Sequence, residues 1–170
     1  MAVGFTGSRS LPASFRVLVA SAVAGLAPAP VVVGCAAGAD AFVRSAAPGA
    51  RVFRAASFAG PWRGRLAARS AAMVRFVAAS PSPLLVGFVS GSCPAGLVPS
   101  PAASACFAGV GSGSWASLAL AAGLGVPVVV FWCGPGPVAL PPAWGSWVAA
   151  GGPLVGGWRL VPPAVQLSLL

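Results

Sequence analysis

Three glycine-rich loops contain the residue types that bind phosphate. They are GFTGSRS (4–10), GCAAGAD (34–40) and GVGSGSW (109–115). Each loop joins small residues, which let the backbone approach a ligand, to the predicted start of a helix, whose free N–H groups attract an anion. Together the loops predict a phosphate site, although any one of them is equally well explained by the turn that it makes.

The two best-defined nucleotide motifs are missing. None of the loops fits GxxxxGK[ST], because the chain has no lysine. None fits GxGxxG followed by a ribose-binding acid about twenty residues downstream. The sequence therefore disfavours ordinary kinases, ATPases and NAD-dependent enzymes.

Asp40 is the only acidic residue of the chain, which also has no histidine. Its position at a helix start suits three roles: bracing the loop or capping the helix, contact with a ligand group such as a ribose hydroxyl, and catalysis. Cleavage of an N-glycosidic bond is helped by carboxylates that stabilise the oxocarbenium ion or activate water. With one carboxylate available, we expect ligand contact rather than catalysis and keep the bracing role as an alternative.

Arginine supplies all the positively charged side chains. Ten arginines against one acid give a net charge of +9, and seven of the ten lie between Arg44 and Arg75. On a helix from Gly64, Arg65, Arg69 and Arg75 fall within about 120° of one another. The opposite face is apolar and consists of Leu66, Met73, Val74 and Val77. The basic face is interpreted either as a solvated surface or as a track for the phosphates of single-stranded nucleic acid.

The four cysteines are predicted to be free, buried thiols. They are far apart in the sequence, form no CxxC pair and have no histidine with which to share a metal. These residues are Cys35, Cys93, Cys106 and Cys133. No metal site and no cofactor is expected.

Composition alone would indicate a membrane protein, with 58% hydrophobic residues and a mean hydropathy of +0.92. However, Lys, His, Asn, Glu, Ile and Tyr are all absent, and all need adenine in the first or second codon position, so the composition also reflects the coding sequence. The long apolar stretch 105–133 is divided by glycines into pieces too short to span a bilayer. Residues 17–29 imitate a signal peptide, but cleavage there would remove the first loop. We predict a cytoplasmic protein with no membrane partner.

Short apolar runs alternate with helical patterns along residues 1–133. Strands are predicted at 2–7, 30–35, 51–56, 83–90 and 126–133. Helices are predicted at 11–27, 39–47, 64–80 and 114–125. Continuous apolar strands separated by helices predict an α/β domain with a Rossmann-like parallel sheet of about five strands, flanked by helices on both faces.

Residues 134–170 differ in composition, being rich in Pro, Gly and Trp. They are predicted to form a short C-terminal appendage packed on the same domain. Two apolar runs, 146–150 and 158–162, are expected to form a hairpin or an edge appendage. Trp144, Trp147 and Trp158 are expected to pack inside the protein rather than to stack on bases.

The ordered motifs resemble the SLOG superfamily, the Rossmann-like group that contains the Smf/DprA proteins and the LOG phosphoribohydrolases. The motifs are GSR after the first strand, GxxxGAD after the second, R-S-x-x-M on a helix, and a GSGS turn before a helix that runs into GVPVVVF. The resemblance covers residues 3–131 and implies a site for a nucleotide or nucleotide derivative at the carboxyl edge of the sheet. The implied ligand-binding residues are Gly7, Ser8, Arg9, Gly34, Gly38, Asp40, Arg69, Met73, Gly111, Ser112, Gly113 and Ser114.

Two departures from the family pattern shape the functional hypothesis. Ser70 stands where the family has Asn in R-N-x-x-M, and the GSGS turn does not continue to the glutamate of the hydrolase branch. We therefore favour a nucleotide-binding protein or sensor over an enzyme. The alternatives are DprA-like binding of single-stranded nucleic acid through Arg65, Arg69 and Arg75, and LOG-type hydrolysis of nucleoside monophosphates. Homo-oligomerisation is left open.

Overall fold

The computed structural model describes residues 1–109 and 111–163, so part of the predicted appendage, 164–170, lies outside the described residues. Seven strands form one sheet. They are β1 (Ala2–Gly7), β2 (Val31–Gly34), β3 (Arg51–Phe53), β4 (Pro83–Val89), β5 (Val128–Trp132), β6 (Ser146–Ala149) and β7 (Trp158–Val161). The helices are α1 (Arg16–Gly25), α2 (Ala39–Ala46), α3 (Trp62–Ala78), α4 (Ala103–Cys106) and α5 (Gly113–Gly123).

The sheet has the order β3-β2-β1-β4-β5-β7-β6. The first five strands of this order are parallel, with β1 between β2 and β4. This is the order of the Rossmann fold, in which helical connections place successive strands side by side. The α/β fold with a Rossmann-like sheet is confirmed, although the sheet has seven strands rather than about five.

Both faces of the sheet are covered, which explains why its strands are continuous apolar runs. On one face, α1 and α2 pack over Val3, Phe5 and Val33, and on the other, α3 and α5 pack over Leu85 and Val128. Three phenylalanines stack across β1, β4 and β5, with ring centroids 6.4 Å apart for Phe5 and Phe88 and 5.1 Å apart for Phe88 and Phe131. This ladder holds the centre of the sheet rigidly beneath its carboxyl edge.

The C-terminal appendage joins the sheet instead of forming a separate layer. β6 and β7 pair antiparallel with each other, and β7 pairs antiparallel with β5. Trp144 is buried, its indole N–H donates to the carbonyl of Leu97 at 2.8 Å, and its ring packs edge-on against Trp115 at 5.6 Å. The predicted hairpin and the predicted packing role of Trp144 are confirmed.

The described residues include no helix with the length and apolar character that a bilayer crossing requires.

Candidate functional site

The candidate site lies at the carboxyl edge of the sheet, between β1 and β4. β1 pairs with β2 on one side and with β4 on the other. The connection after β1 runs to the face of the sheet that α1 covers, and the connection after β4 runs to the opposite face, which α5 covers. In folds of this type the diverging connections leave a crevice at such a point, and ligands bind there. We call the loops around it the carboxyl-edge site: 7–10, 34–40, 90–94 and 111–114.

Ser8 connects three of these loops. Its backbone N–H donates to the carbonyl of Phe88 at 2.8 Å, and its hydroxyl accepts the backbone N–H of Ser90 at 2.9 Å. Its carbonyl accepts the N–H of Ala39, at the start of α2, at 3.1 Å. The loop after β1 therefore uses Ser8 to brace its neighbours, while the exposed Arg9 beside it projects from the protein surface.

Gly38 is needed because the first two loops are in close contact. Its φ of +65° is in the left-handed region, and a Cβ there would collide with the carbonyl oxygens of Ser8 and Arg9. Gly7 is equally enclosed, since a Cβ would lie 3.1 Å from the Cβ of Phe88. Both glycines therefore allow neighbouring groups of the protein to pack against the backbone.

Asp40 forms a buried ion pair with Arg69. Nη1 of Arg69 lies 2.8 Å from Oδ2 of Asp40, with side-chain exposures of 9% and 5% respectively. The same Oδ2 accepts the backbone N–H of Ala36 at 3.1 Å. Asp40 therefore braces the loop before α2, whose N-cap residue is Gly38. A contact between Asp40 and a ligand stays a prediction.

The loop after β2 is filled by arginine side chains. The guanidinium of Arg69 occupies the space over Gly34, where a Cβ would lie 2.6 Å from Cζ of Arg69. From the other side, Nη1 of Arg44 donates to the carbonyls of Gly34 at 2.8 Å and Ala36 at 3.0 Å. Gly34 thus makes room for a guanidinium that belongs to the protein.

Arg44 was missed by the sequence reasoning. The available signal was its position four residues after Asp40 on α2, which places both side chains on one face of the helix. Arg69 itself was predicted as a site residue, but its pairing with Asp40 was not. Because Asp40 is the only acid, any buried arginine must pair with it or with carbonyl groups.

One nitrogen of Arg69 is left without a partner. Nε is buried and has no hydrogen-bond partner among the described residues. Asp40 offsets the charge of Arg69 but not that of Arg44, so the β2 loop keeps one net positive charge, although protein groups fill the space around its glycines.

The start of α5 is the open part of the site. Ser112 caps the helix, with its hydroxyl accepting the N–H of Trp115 at 3.4 Å. Gly113, the first residue of α5, is exposed, and a Cβ there would have no atom of the described residues within 4 Å. The first N–H groups of a helix have no partner within it, so the N–H of Gly113 lies at this open end, whereas Ser114 is buried.

The α5 start is held against the loop after β4. The indole N–H of Trp115 donates to the carbonyl of Gly91 at 2.8 Å. Gly111, with φ of +138°, approaches Pro94, whose Cγ would lie 3.1 Å from an added Cβ. Pro94 also lines an adjoining cavity of about 340 Å³, whose other walls include Leu97 and Leu140. The open helix start therefore lies beside a largely apolar cavity.

Three predicted residues lie elsewhere. Met73 is 2% exposed and packs in the core beneath α3, so it does not line the site. Arg65 donates from Nε to the carbonyl of Gly60 at 2.6 Å. Arg75 is exposed in the last turn of α3, about 9 Å along the axis from Arg69 and toward the opposite edge of the sheet.

The predicted basic face of α3 therefore needs correction. Arg69, its central member, is 7% exposed and faces the β2 loop instead of solvent. Arg69 and Arg65 point in similar directions around the axis of α3, but the β2 loop covers the helix at Arg69. A phosphate track through Arg65, Arg69 and Arg75 is wrong as a continuous surface.

The cysteines agree with free thiols. Cys106 and Cys133 are buried, Cys35 and Cys93 are half-buried, and all four are unpaired with one another. Burial raises the pKa of the Cys93 thiol to about 11 and that of Cys133 to about 12, so both are protonated at neutral pH. Within the described ranges, no cluster of three or more His, Cys, Asp or Glu side chains could hold a metal ion.

Comparison of the chain with protein-family models, curated proteins and solved structures finds no match.

Proposed function

We propose that this protein binds a nucleotide or nucleotide-derived ligand at the carboxyl-edge site, as a binding protein or sensor rather than a catalyst. The observation that carries the proposal is the open start of α5 at the crevice between β1 and β4. Its N–H groups and the positive end of the helix dipole suit a phosphate. SLOG membership is part of the proposal and rests on the motifs alone.

The adjoining cavity supports a ligand larger than phosphate. At about 340 Å³ it falls in the lower range of small-molecule sites, and most of its lining is apolar. A phosphate at Gly113 would place an attached nucleoside within reach of this cavity, because Pro94 lines the cavity and approaches Gly111, two residues before Gly113. We therefore propose that the cavity receives the nucleoside.

Binding is favoured over hydrolysis because the one carboxylate is already engaged. Oδ2 of Asp40 holds both Arg69 and the N–H of Ala36, and the side chain is 5% exposed. A LOG-type reaction would need a carboxylate that reaches the glycosidic bond. We also place the protein in the cytoplasm, since cleavage of the signal-like segment would remove β1 from the middle of the sheet.

The test uses a pair of substitutions at one position. Gly113→Pro removes the N–H at the first helical residue, where proline is tolerated and the preceding Ser112 already has the extended conformation that proline requires. Gly113→Ala keeps the N–H. Calorimetric titration with AMP should give normal affinity for Gly113→Ala and a loss of about tenfold for Gly113→Pro, the value expected for a hydrogen bond to a charged group.

Two controls sharpen the titration. Adenosine should bind more weakly than AMP to the wild type, and inorganic phosphate more weakly than AMP. Native mass spectrometry of the purified protein shows whether a small molecule is retained. Equal AMP affinity in both Gly113 variants, or no binding of AMP, GMP, CMP or UMP to the wild type at millimolar concentrations, would overturn the proposal.

The predicted ligand contact of Asp40 has a separate test. Asp40→Asn keeps the size of the side chain and removes its charge. If Asp40 accepts a ribose hydroxyl, AMP affinity should fall by about tenfold or more in the folded variant, while the affinity for inorganic phosphate stays unchanged. If Asp40 is only a brace, both affinities should match the wild type once the protein is folded.

A further inference from the structure

We propose that a second surface of the protein binds single-stranded nucleic acid. This β3-edge surface consists of Arg51, Trp62, Arg65 and Phe76. It lies on the outer strand of the sheet and the adjacent side of α3. The proposal does not depend on nucleotide binding at the carboxyl-edge site.

Aromatic rings and guanidinium groups are interleaved on this surface. Cζ of Arg51 lies 4.1 Å from the ring centroid of Phe76 and 5.5 Å from that of Phe53. The two rings are 5.8 Å apart, which joins β3 to α3. The outer face of such an arginine can stack on a base or contact a phosphate.

The helical part of the surface forms a stripe along α3. At about 100° per residue, Trp62, Arg65 and Phe76 fall within about 60° of one another. The stripe spans about 21 Å from Trp62 to Phe76, which is long enough for several nucleotides. Trp62 is 60% exposed and Phe76 is 39% exposed, so each offers ring surface to a partner.

The charge of the surface is uncompensated. Arg51 is exposed and Arg65 is half-buried, whereas the only acid, Asp40, is buried and paired with Arg69. Charge alone would suit any polyanion, but the exposed indole of Trp62 favours unpaired bases. Such bases stack on aromatic rings in single strands, while a duplex hides their faces.

The electrostatic part is tested with a fluorescein-labelled oligothymidylate of about fifteen nucleotides, measured by anisotropy over a salt series. Arg51→Gln with Arg65→Gln should reduce the magnitude of the log–log salt slope by about 1.4, which corresponds to two phosphate contacts. Arg16→Gln with Arg159→Gln is the matched control, since both arginines are exposed on other parts of the surface. The control should change the slope by less than half as much.

The stacking part is tested with Trp62→Ala, which should weaken oligothymidylate binding at least about fivefold. Trp62→Phe should recover part of the loss, and Val155→Ala, at a 73% exposed apolar residue, should have no effect. A duplex of the same length should bind with an affinity that does not depend on Trp62.

Three results would overturn the proposal. One is a control pair that lowers the slope as much as Arg51→Gln with Arg65→Gln, which would mean that the attraction is spread over the whole protein surface. Another is an unchanged oligothymidylate affinity in Trp62→Ala, which would leave only charge. The last is binding to phosphatidylserine vesicles that depends on Trp62, with no binding to the oligonucleotide. This result would assign the surface to a membrane.

Discussion

The loop after β2 and the loop before α5 look alike in the sequence but differ in what fills them. Both are runs of small residues that end at a helix start. In the β2 loop, Arg69, Arg44 and Asp40 occupy the space that the glycines leave. At the α5 start, Gly113 has open space around it.

This difference separates two uses of glycine. Gly34 and Gly38 are small because protein groups approach them, whereas Gly113 is small at a place where no protein group does. A glycine-rich loop thus indicates that something comes close to the backbone without specifying whether it is protein or ligand. The neighbouring side chains determine which of these applies.

The largest effect is expected when the filled loop loses its charge partner. Asp40→Ala leaves the guanidinium of Arg69 buried without its carboxylate, so the free energy of unfolding should fall by about 3–5 kcal/mol. Urea denaturation measures this free energy. Adding Arg69→Met should recover much of the loss, since the uncompensated charge is then gone. Wild-type stability in Asp40→Ala would contradict the bracing role.

A methyl group should distinguish the two loops directly. Gly34→Ala places a Cβ against the guanidinium of Arg69, so we expect a loss of about 1–3 kcal/mol. Gly113→Ala is its control and should unfold close to wild type, because the added methyl meets no atom. If thermal melts show similar losses in both variants, the contrast between filled and open loops is wrong.

The cap of α5 should contribute less. Ser112→Ala removes the hydroxyl that accepts the N–H of Trp115, and loss of such a cap costs about 1 kcal/mol. Chemical denaturation can resolve this difference. Ser112→Asp should retain the stability, since aspartate caps helices as well as serine does. A loss in Ser112→Asp equal to that in Ser112→Ala would argue against capping.

The last effect, on the open side of the site, is absent at neutral pH and is expected only at alkaline pH. Burial raises the pKa of Cys93 from 9.0 to about 11, so above pH 9 the folded state keeps a proton that the unfolded state has lost. Stability is therefore full below pH 9 and falls as pH rises toward about 11. Cys93→Ala should reduce this fall, measured by urea denaturation at pH 8 and 10.5, while Cys106 and Cys133, whose pKa values burial also raises, contribute to the remainder. An identical pH dependence of stability in the wild type and in Cys93→Ala would contradict this prediction.

Local patterns in the sequence predicted most of the fold. The β-branched runs 30–35 and 126–133 became β2 and β5, and the helical pattern at 64–80 became α3 with ends shifted by two residues. The hairpin of β6 and β7 was expected, but the sequence did not predict that it would extend the parallel sheet. That pairing depends on β5 having an open edge, which the sequence of β6 and β7 does not encode.

The sequence by itself determined the strand and helix alternation, the glycine loops at the carboxyl edge and the absence of a second acid. Periodicity is a local property, so these features follow from neighbouring residues alone. Only the tertiary structure decided that Arg69 is buried while Arg65 and Arg75 on the same helix face outward to different degrees. Asp40 and Arg69 are 29 residues apart, and they meet because β2 and α3 pack together. That packing places a protein cation, rather than a ligand, over Gly34.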